Sequence, residues 1–133
     1  MGTHLILDFS CKDKNMADRK HIYRFLNSIV KSINMRKLIE PIVKLGKPYL
    51  PGVSGIIMIE TSHCAIHTFT KENRIMVDVY SCKDFSEEIV FYNLNKYFNG
   101  LNLLNNHLLR REDGQSSDAG QINPQTIKTA PHP

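Results

Sequence analysis

The sequence lacks the features of membrane and secreted proteins. No apolar run reaches the roughly 18 to 20 residues that a helix needs to cross a bilayer, so we expect no membrane association. The N-terminus has neither the basic region nor the small-residue cleavage site of a secretory signal. Cysteine is scarce: three residues, an odd number, argue against a disulfide framework and favour free thiols. Together these absences predict a cytoplasmic protein.

Runs of basic residues are also absent, although the formal net charge is +4. The 17 lysines and arginines are spread along the chain and form no basic arm of the kind that binds nucleic acid. We therefore expect no nucleic-acid partner. What is present, 133 residues with 41% hydrophobic and 23% charged content, is the composition of one ordinary globular domain.

The spacing of apolar residues predicts an alternation of strands and helices. Period-two alternation indicates strands, and apolar residues three and four apart indicate helices. Pro41 cannot donate a backbone hydrogen bond, so the strand that contains it should lie at a sheet edge. The predicted elements are strands over residues 5–9, 37–44, 53–60, 63–69, 75–80 and 101–110, a helix over 16–34 capped by Asn15, and a second helix between Ser86 and Gly100.

This order of elements predicts an α+β fold, a two-layer sandwich with an antiparallel sheet and helices on one face. The predicted domain covers residues 1–111. The tail, residues 112–133, is rich in Gly, Ser, Gln, Asn and Pro, so we expect it to be disordered. Because the central strands carry apolar residues on both sides, the second face of the sheet also needs a cover. A second copy of the chain can provide it, which predicts a homodimer.

Residues 61–68 hold more reactive side chains than a core strand needs, with a serine, two histidines and a cysteine within six residues. Each has an ordinary interpretation, since strand serines are usually structural, strand histidines are usually hydrogen-bonded, and buried cysteines behave as small apolar residues. A further alternative is a zinc site made of His63, Cys64, His67 and Cys82. However, adjacent strand residues point to opposite faces of a sheet, so we expect no metal.

A resemblance accounts for this cluster as a whole. The segments Gly52-Val53-Ser54-Gly55, Ser62-His63, Ile66-His67-Thr68 and Val77-Asp78-Val79, followed by Cys82, resemble the prokaryotic S-adenosylmethionine decarboxylases. The resemblance extends from the Gly-X-His opening, at Gly2 and His4, to about Arg111. Members of this family cleave themselves and depend on a pyruvoyl group made from their own backbone. The resemblance therefore implies an enzyme, a carboxy-lyase that is made as a zymogen.

By the same resemblance, Ser62 is the residue at which the chain cleaves itself. Its hydroxyl would attack the carbonyl of Thr61, exchanging the amide for an ester. Elimination would then separate residues 1–61 from residues 62–133 and leave a pyruvoyl cofactor derived from Ser62. This makes the backbone of the strand the source of the cofactor.

The remaining matching residues also acquire roles from the resemblance. His67 would be the base of the elimination step, Ser54 a hydrogen-bonding partner in processing, and Cys82 the proton donor. In the mature enzyme the pyruvoyl carbonyl would form a Schiff base with the amine of S-adenosylmethionine and accept the electrons that carbon dioxide leaves behind. The product would be decarboxylated S-adenosylmethionine, the aminopropyl donor of spermidine biosynthesis.

The sequence departs from the family pattern at two places. The residue before the cleavage-site serine is usually glutamate in the family, but it is Thr61 here. The next turn usually reads Thr-Trp-Pro-Glu in the family and reads Thr68-Phe69-Thr70-Lys71 here, so Lys71 replaces the glutamate that contacts the substrate's ribose. We then expect the substrate to be bound by Phe69 and by Glu72, which directly follows Lys71. The alternative is a pyruvoyl-dependent decarboxylase of arginine or ornithine, whose substrate has no ribose.

Overall fold

The computed structural model describes residues 2–112 and 115–118. In chain order the elements are β1 (Thr3–Ser10), a short 3-10 helix (Lys14–Ala17), α1 (Arg19–Ser32), β2 (Ile42–Leu45), β3 (Val53–Ile59), β4 (Ser62–Phe69), β5 (Arg74–Ser81), α2 (Glu87–Tyr97), β6 (Asn102–Glu112) and β7 (Gln115–Asp118). The strands form one sheet in the spatial order β2-β3-β4-β5-β1-β6-β7, and every neighbouring pair is antiparallel. The predicted antiparallel sheet is therefore confirmed.

Both helices cover the same face of the sheet. Alternate residues of the inner strands are fully buried on this face, as Leu7 on β1 and Ile57 on β3 illustrate. α1 packs close to β3 because Gly55 has no side chain, and a Cβ there would lie 2.9 Å from Cδ1 of Leu26 and 3.1 Å from Cγ2 of Ile22. This arrangement confirms the predicted two-layer α+β sandwich with helices on one face.

α1 is shorter than the predicted helix over residues 16–34, because the chain first makes a separate 3-10 helix. Its N-cap is Asp18 rather than Asn15. The Asp18 carboxylate accepts hydrogen bonds from the backbone N–H groups of Lys20 and His21, which have no partner within the helix. A negative charge at this position also suits the positive end of the helix dipole.

β2 is the edge strand that Pro41 predicted, but it is shorter than the predicted strand over residues 37–44. It begins directly after the proline, and β3 is its neighbour in the sheet. Lys37, at the start of the predicted strand, makes only an isolated bridge with Ile59. Because proline has no N–H for the ladder, regular pairing starts at the residue that follows it.

α2 lies where the sequence predicted a second helix. The hydroxyl of Ser86 accepts a hydrogen bond from the backbone N–H of Ile89, which confirms Ser86 as the cap. The helix ends at Tyr97. Gly100 then adopts a φ of +72°, a left-handed conformation that glycine takes without steric cost, and the chain turns into β6.

Part of the tail that was expected to be disordered is a strand instead. Residues 115–118 form β7, which pairs with the outer edge of β6. The unpaired N–H and C=O groups of such an edge can bind any nearby extended segment, whatever its hydrophobicity. The rest of the expected disordered tail, residues 113–114 and 119–133, lies outside the described residues.

The second face of the sheet, called the open face below, has no helix over it in the described part of the chain. Apolar side chains on this face that are about half exposed include Ile56 at 44%, Met58 at 51% and Met76 at 44%, and Ile42, the β2 partner of Ile56, is 50% exposed. Contiguous exposed apolar surface on a sheet commonly marks an interaction site. None of the described helices has the length and apolar character needed to span a membrane.

Candidate functional site

Ser54 and His67 meet on the open face of the sheet. They are direct partners across β3 and β4, and Oγ of Ser54 lies 2.7 Å from Nδ1 of His67. The ring of His67 stacks on that of Phe69, with centroids 6.4 Å apart and planes at 28°. We call these three residues the histidine half-site. Because a hydroxyl and a neighbouring ring both hold it, the imidazole has the defined orientation that a general base needs.

Gly52, at the start of the Gly-Val-Ser-Gly motif, lets β3 approach β4 at this point. It has a φ of +153°, and a Cβ there would lie 1.8 Å from the backbone oxygen of Thr68. The backbone N–H of Val53 donates to Oγ1 of Thr68 at 2.8 Å. Any other residue at this position would push the strands apart, so Gly52 helps to keep Ser54 opposite His67.

Ser62 is the first residue of β4 and points toward the helices, away from the open face. Its side chain is buried, with 6% of the residue exposed. The Ser62 hydroxyl donates a hydrogen bond to Oγ of Ser81 at 2.8 Å. Ser81 is its direct partner on β5 and is itself fully buried. The predicted nucleophile therefore has a fixed neighbour that accepts its proton in a hydrogen bond.

Thr61, the residue before Ser62, has a left-handed backbone conformation with a φ of +60°. The other described non-glycine residues with positive φ are Asn34 and Asn73, and asparagine tolerates this conformation better than a β-branched residue. The Thr61 carbonyl accepts a hydrogen bond from the backbone N–H of Cys82, with 3.3 Å between N and O. A strained peptide with a polarised carbonyl is a favourable target for a nucleophile.

Cys82 follows β5 directly, and its Sγ lies 3.4 Å from the hydroxyl of Tyr80. This hydrogen bond, with a smaller effect of burial, raises the pKa of Tyr80 above its usual value. The Tyr80 ring lies beside the ring of His63, with centroids 5.4 Å apart, and under the guanidinium of Arg111. The thiol therefore lies next to a phenol that stays protonated at neutral pH. We call Thr61, Ser62, Ser81 and Cys82 the cleavage half-site.

Cys64 takes no part in either half-site. It points into the core and is fully buried, and burial raises the pKa of its thiol to about 12. His63, the next residue back, is exposed on the opposite face. The four residues of the zinc alternative are thus divided between two faces, and the described side chains include no group of three or more His, Cys, Asp and Glu that could hold a metal.

The structure does not bring the two half-sites together within one chain. Ser62 and His67 are five residues apart on β4, which corresponds to about 16 Å along an extended strand. Their side chains also point to opposite faces, Ser62 toward the helices and His67 toward the open face. In this conformation His67 cannot act on Ser62 of its own chain.

The expected substrate-binding residues lie beside the histidine half-site. Phe69 ends β4 and is half-buried against His67. Lys71 and Glu72 are both exposed in the turn between β4 and β5. The residues predicted to recognise the substrate are therefore at the opposite end of β4 from Ser62.

Sequence reasoning missed Ser81, although a signal was present. β5 buries Ile75, Val77 and Val79 at alternate positions, and the next position on that face is a serine. A polar residue that interrupts an apolar alternation must find a hydrogen-bonding partner in the core. Its place directly before Cys82 could have marked it as part of the site.

Comparison with known proteins gives one consistent family match. The profile of the family described as S-adenosylmethionine decarboxylase matches residues 3–111, a range that contains both half-sites. Proteins named S-adenosylmethionine decarboxylase proenzyme from Aquifex aeolicus, Bacillus velezensis and Clostridium botulinum are 31%, 32% and 29% identical to the chain. These matches cover 65%, 67% and 68% of the chain, in that order. They cover 63% of the Aquifex protein, slightly under two thirds, 69% of the Bacillus protein and 78% of the Clostridium protein.

Proposed function

Because this chain belongs to the S-adenosylmethionine decarboxylase family, we propose that it is a proenzyme that cleaves itself and then decarboxylates S-adenosylmethionine. The observation that carries the proposal is the arrangement at the cleavage half-site. There the Ser62 hydroxyl and the Thr61 carbonyl, the two groups that must react, are both hydrogen-bonded by the end of β5. The comparisons do not favour the alternative, a decarboxylase of arginine or ornithine on the same scaffold.

The first step of the proposed self-cleavage is an exchange of an amide for an ester. Oγ of Ser62 bonds to the carbonyl carbon of Thr61, the carbon–nitrogen bond breaks, and the hydroxyl proton ends on the nitrogen. Negative charge develops on the Thr61 oxygen during this attack. The backbone N–H of Cys82 already points at that oxygen, so it stabilises the charge without rearrangement.

The second step removes the α-proton of Ser62 and releases residues 1–61 as a carboxylate, which leaves a dehydroalanine at position 62. Water then adds to the imine tautomer of this residue and ammonia leaves, so that the nitrogen is replaced by the oxygen of a pyruvoyl group. This elimination needs a base, and we assign that role to the imidazole of His67, oriented by Ser54. The residues present fit a pyruvoyl group at position 62, since the chain itself supplies the serine from which the group forms. When present, a pyruvoyl group supplies an electron-withdrawing carbonyl that would accept the electron pair left on the substrate when carbon dioxide departs.

After decarboxylation a proton must be delivered to the substrate carbon that lost carbon dioxide. We assign this to the thiol of Cys82. The Cys82 backbone contacts the Thr61 carbonyl, so the residue lies beside the reacting bond, and its thiol is linked to the protonated hydroxyl of Tyr80. Thiols are among the side chains that act as general acids in enzymes, so a thiol at this position can donate the proton.

We infer that the active form is a homodimer in which each site is shared between two chains. His67 lies on the open face, and the distance along β4 keeps it from Ser62 of its own chain. A second copy packed against the open face, related by a twofold axis, can place the histidine half-site of one chain beside the cleavage half-site of the other. The exposed Ile56, Met58 and Met76 supply the apolar surface for that contact.

We propose that the substrate's nucleoside binds beside the histidine half-site. The ring of Phe69 offers a flat apolar surface for the purine. Glu72 is exposed in the adjacent turn, where its carboxylate can accept hydrogen bonds from the ribose hydroxyls. All three cysteines are free thiols, which suits the reducing cytoplasm, the compartment in which we place the enzyme.

Mass spectrometry of the purified protein tests the proposal. Two chains are expected, residues 1–61 and residues 62–133, with no free amine on residue 62. An intact chain of 15.3 kDa would contradict self-cleavage. The Ser62→Ala variant should remain whole because it has no hydroxyl, whereas Ser32→Ala, which removes a hydroxyl bonded to the backbone oxygen of Ser28 within α1, should be cut normally. Carbon dioxide release is then measured with S-adenosylmethionine, arginine and ornithine in turn, and release from either amino acid alone would contradict the proposed substrate.

A further inference from the structure

We propose that Ser81 is a positioning residue for self-cleavage, one that holds the Ser62 hydroxyl in the state from which it attacks Thr61. The inference rests on the proposed function, since it assigns a role within the same reaction. It concerns a residue outside the motifs that carry the family resemblance. The evidence is the complete hydrogen-bonding pattern around its hydroxyl.

The Ser81 hydroxyl has all of its hydrogen-bonding capacity committed in defined directions. It accepts from the Ser62 hydroxyl at 2.8 Å and from the backbone N–H of Lys83 at 2.9 Å. Its own proton points at Sδ of Met35, 3.6 Å away. A hydroxyl has one proton and two lone pairs. Because the Ser81 proton is directed at a thioether, a lone pair of its oxygen is left facing Ser62.

Both hydroxyl protons have an acceptor when Ser62 donates to Ser81 and Ser81 donates to Met35, and in this arrangement Ser62 is the donor of the pair. Ser62 donates its proton to Ser81, so the lone pairs of Ser62 Oγ are not occupied by a Ser81 proton and remain available for attack. A hydroxyl that donates to an acceptor is also a better nucleophile than one that accepts. The reverse arrangement, with Ser81 donating, would block a lone pair of the nucleophile.

Ser81 and Cys82 together hold both reacting groups. Ser81 Oγ fixes the nucleophile, and the backbone N–H of Cys82 fixes the carbonyl oxygen of Thr61. Because the two are adjacent in sequence and β5 pairs directly with β4, the sheet sets the position of the serine relative to its target. Both reacting groups are thus held before the reaction begins.

A simpler interpretation is that the two serines only satisfy each other in the core. The two interpretations differ in what a substitution changes. A purely structural pair affects the melting temperature, whereas a positioning residue affects the rate of ester formation in a chain that is still folded. The rate of that step is therefore the quantity to measure.

The experiment measures how fast freshly synthesised full-length chain is cleaved. It compares the wild type with three variants, Ser81→Ala, Ser81→Cys and Ser81→Thr. The control is Ser28→Ala, which removes a hydroxyl bonded to Asn93 between the helices. Ser81→Ala and Ser81→Cys should slow cleavage by roughly tenfold or more, since each loses a good acceptor for Ser62. Ser81→Thr keeps the hydroxyl and should stay within a few-fold of wild type, as should Ser28→Ala. If the alanine variant does not fold, the cysteine variant of similar volume decides the question.

Hydroxylamine identifies the affected step, because it cleaves esters but not amides. Hydroxylamine should not accelerate cleavage of the Ser81→Ala chain, because no ester accumulates in it. It should cleave the His67→Ala chain, in which the ester forms but accumulates because the elimination step has no base. Wild-type cleavage rates in the alanine and cysteine variants, or a hydroxylamine-cleavable ester in either, would overturn the role of Ser81. An uncut wild-type chain would instead refute the proposed function itself.

Discussion

Ser62 and His67 lie on the same strand, five residues apart, with their side chains on opposite faces of the sheet. This relationship predicts complementation between two inactive variants. Ser62→Ala has no nucleophile and His67→Ala has no base, so each alone should remain uncut. In a mixed dimer, one site combines Ser62 of the His67→Ala chain with His67 of the Ser62→Ala chain. Coexpression of the two with different tags should therefore give cleavage of the His67→Ala chain only, detected by mass.

The control for this complementation is a double variant. A chain that carries both Ser62→Ala and His67→Ala should not rescue the His67→Ala chain, because it offers no histidine. Absence of cleavage in the mixed dimer, when the tags show that mixed dimers have formed, would contradict a site shared between chains.

A charge on the open face should prevent dimer formation. Ile56 is about half exposed between Ile42 on β2 and Ala65 on β4, so Ile56→Asp should fold, but it would bury an unpaired carboxylate in the dimer. We expect a monomer by analytical ultracentrifugation and little self-cleavage. Ile89→Asp, an equivalent change on the exposed part of α2, should remain dimeric and be cut normally. A dimeric Ile56→Asp chain would place the interface elsewhere.

Loss of the Cys82 thiol should affect turnover in a folded enzyme. General acid catalysis typically contributes a factor of 10² to 10⁴, so Cys82→Ala should release carbon dioxide on the order of 100-fold more slowly, with some slowing of self-cleavage. Rates are measured on the cleaved fraction only. Cys11→Ala removes a thiol that donates to the backbone oxygen of Asn99, outside both half-sites, and should keep normal turnover. Equal rates in the two variants would remove Cys82 from the mechanism.

The left-handed conformation of Thr61 should cost stability that asparagine recovers. In an uncut Ser62→Ala background, Thr61→Asn should raise the free energy of unfolding by about 1 kcal/mol, because a β-branched residue is strained at positive φ. This corresponds to roughly 4 °C in melting temperature. The reverse change at Asn73, which has a φ of 57°, is the matched control and should destabilise by a similar amount. If Thr61→Asn lowers the melting temperature, Thr61 is not strained.

His4 should make the protein less stable in acid. Its Nε2 is buried without a hydrogen-bond partner, 3.8 Å from Oδ2 of Asp78, and burial lowers the pKa of the imidazole despite that carboxylate, with His63 and Arg111 adding to the decrease. The unfolded chain, with a histidine pKa near 6.5, then binds the proton more readily than the folded chain. Stability should therefore fall as the pH drops below about 6.5 toward the lower folded pKa.

The measurement for His4 is the melting temperature between pH 7.5 and pH 5, again in the uncut Ser62→Ala background. His4→Gln cannot titrate and should show a shallower decrease than the parent. Asp78→Asn removes the attraction that supports the charged imidazole, so it should steepen the decrease in acid. Identical slopes in the parent and His4→Gln would show that another group controls the acid response.

Much of the fold followed from local patterns. The sequence predicted those features that depend on neighbours within a few residues. These are the alternation of apolar residues along β1, β3, β4 and β5, the apolar stripe of α1 and the Ser86 cap of α2. The errors came from competition between nearby signals. Asp18, rather than Asn15, is the N-cap of α1, and β2 begins only after Pro41, later than predicted. β7 was missed because it pairs through backbone groups at a sheet edge, which composition does not reveal.

The sequence by itself indicated the chemistry that we propose for the chain, because the segments that carry the family resemblance are continuous stretches around Ser54, Ser62, His67 and Cys82. Only the tertiary structure decided how these residues are grouped. The pairing of β3 with β4 joined Ser54 to His67, and the pairing of β4 with β5 joined Ser62 to Ser81 and Thr61 to Cys82. The rigid extension of β4 kept the two groups about 16 Å apart. Sequence spacing could not predict this division, because it gives distance along the chain but not which strands pair or what packs on their open face.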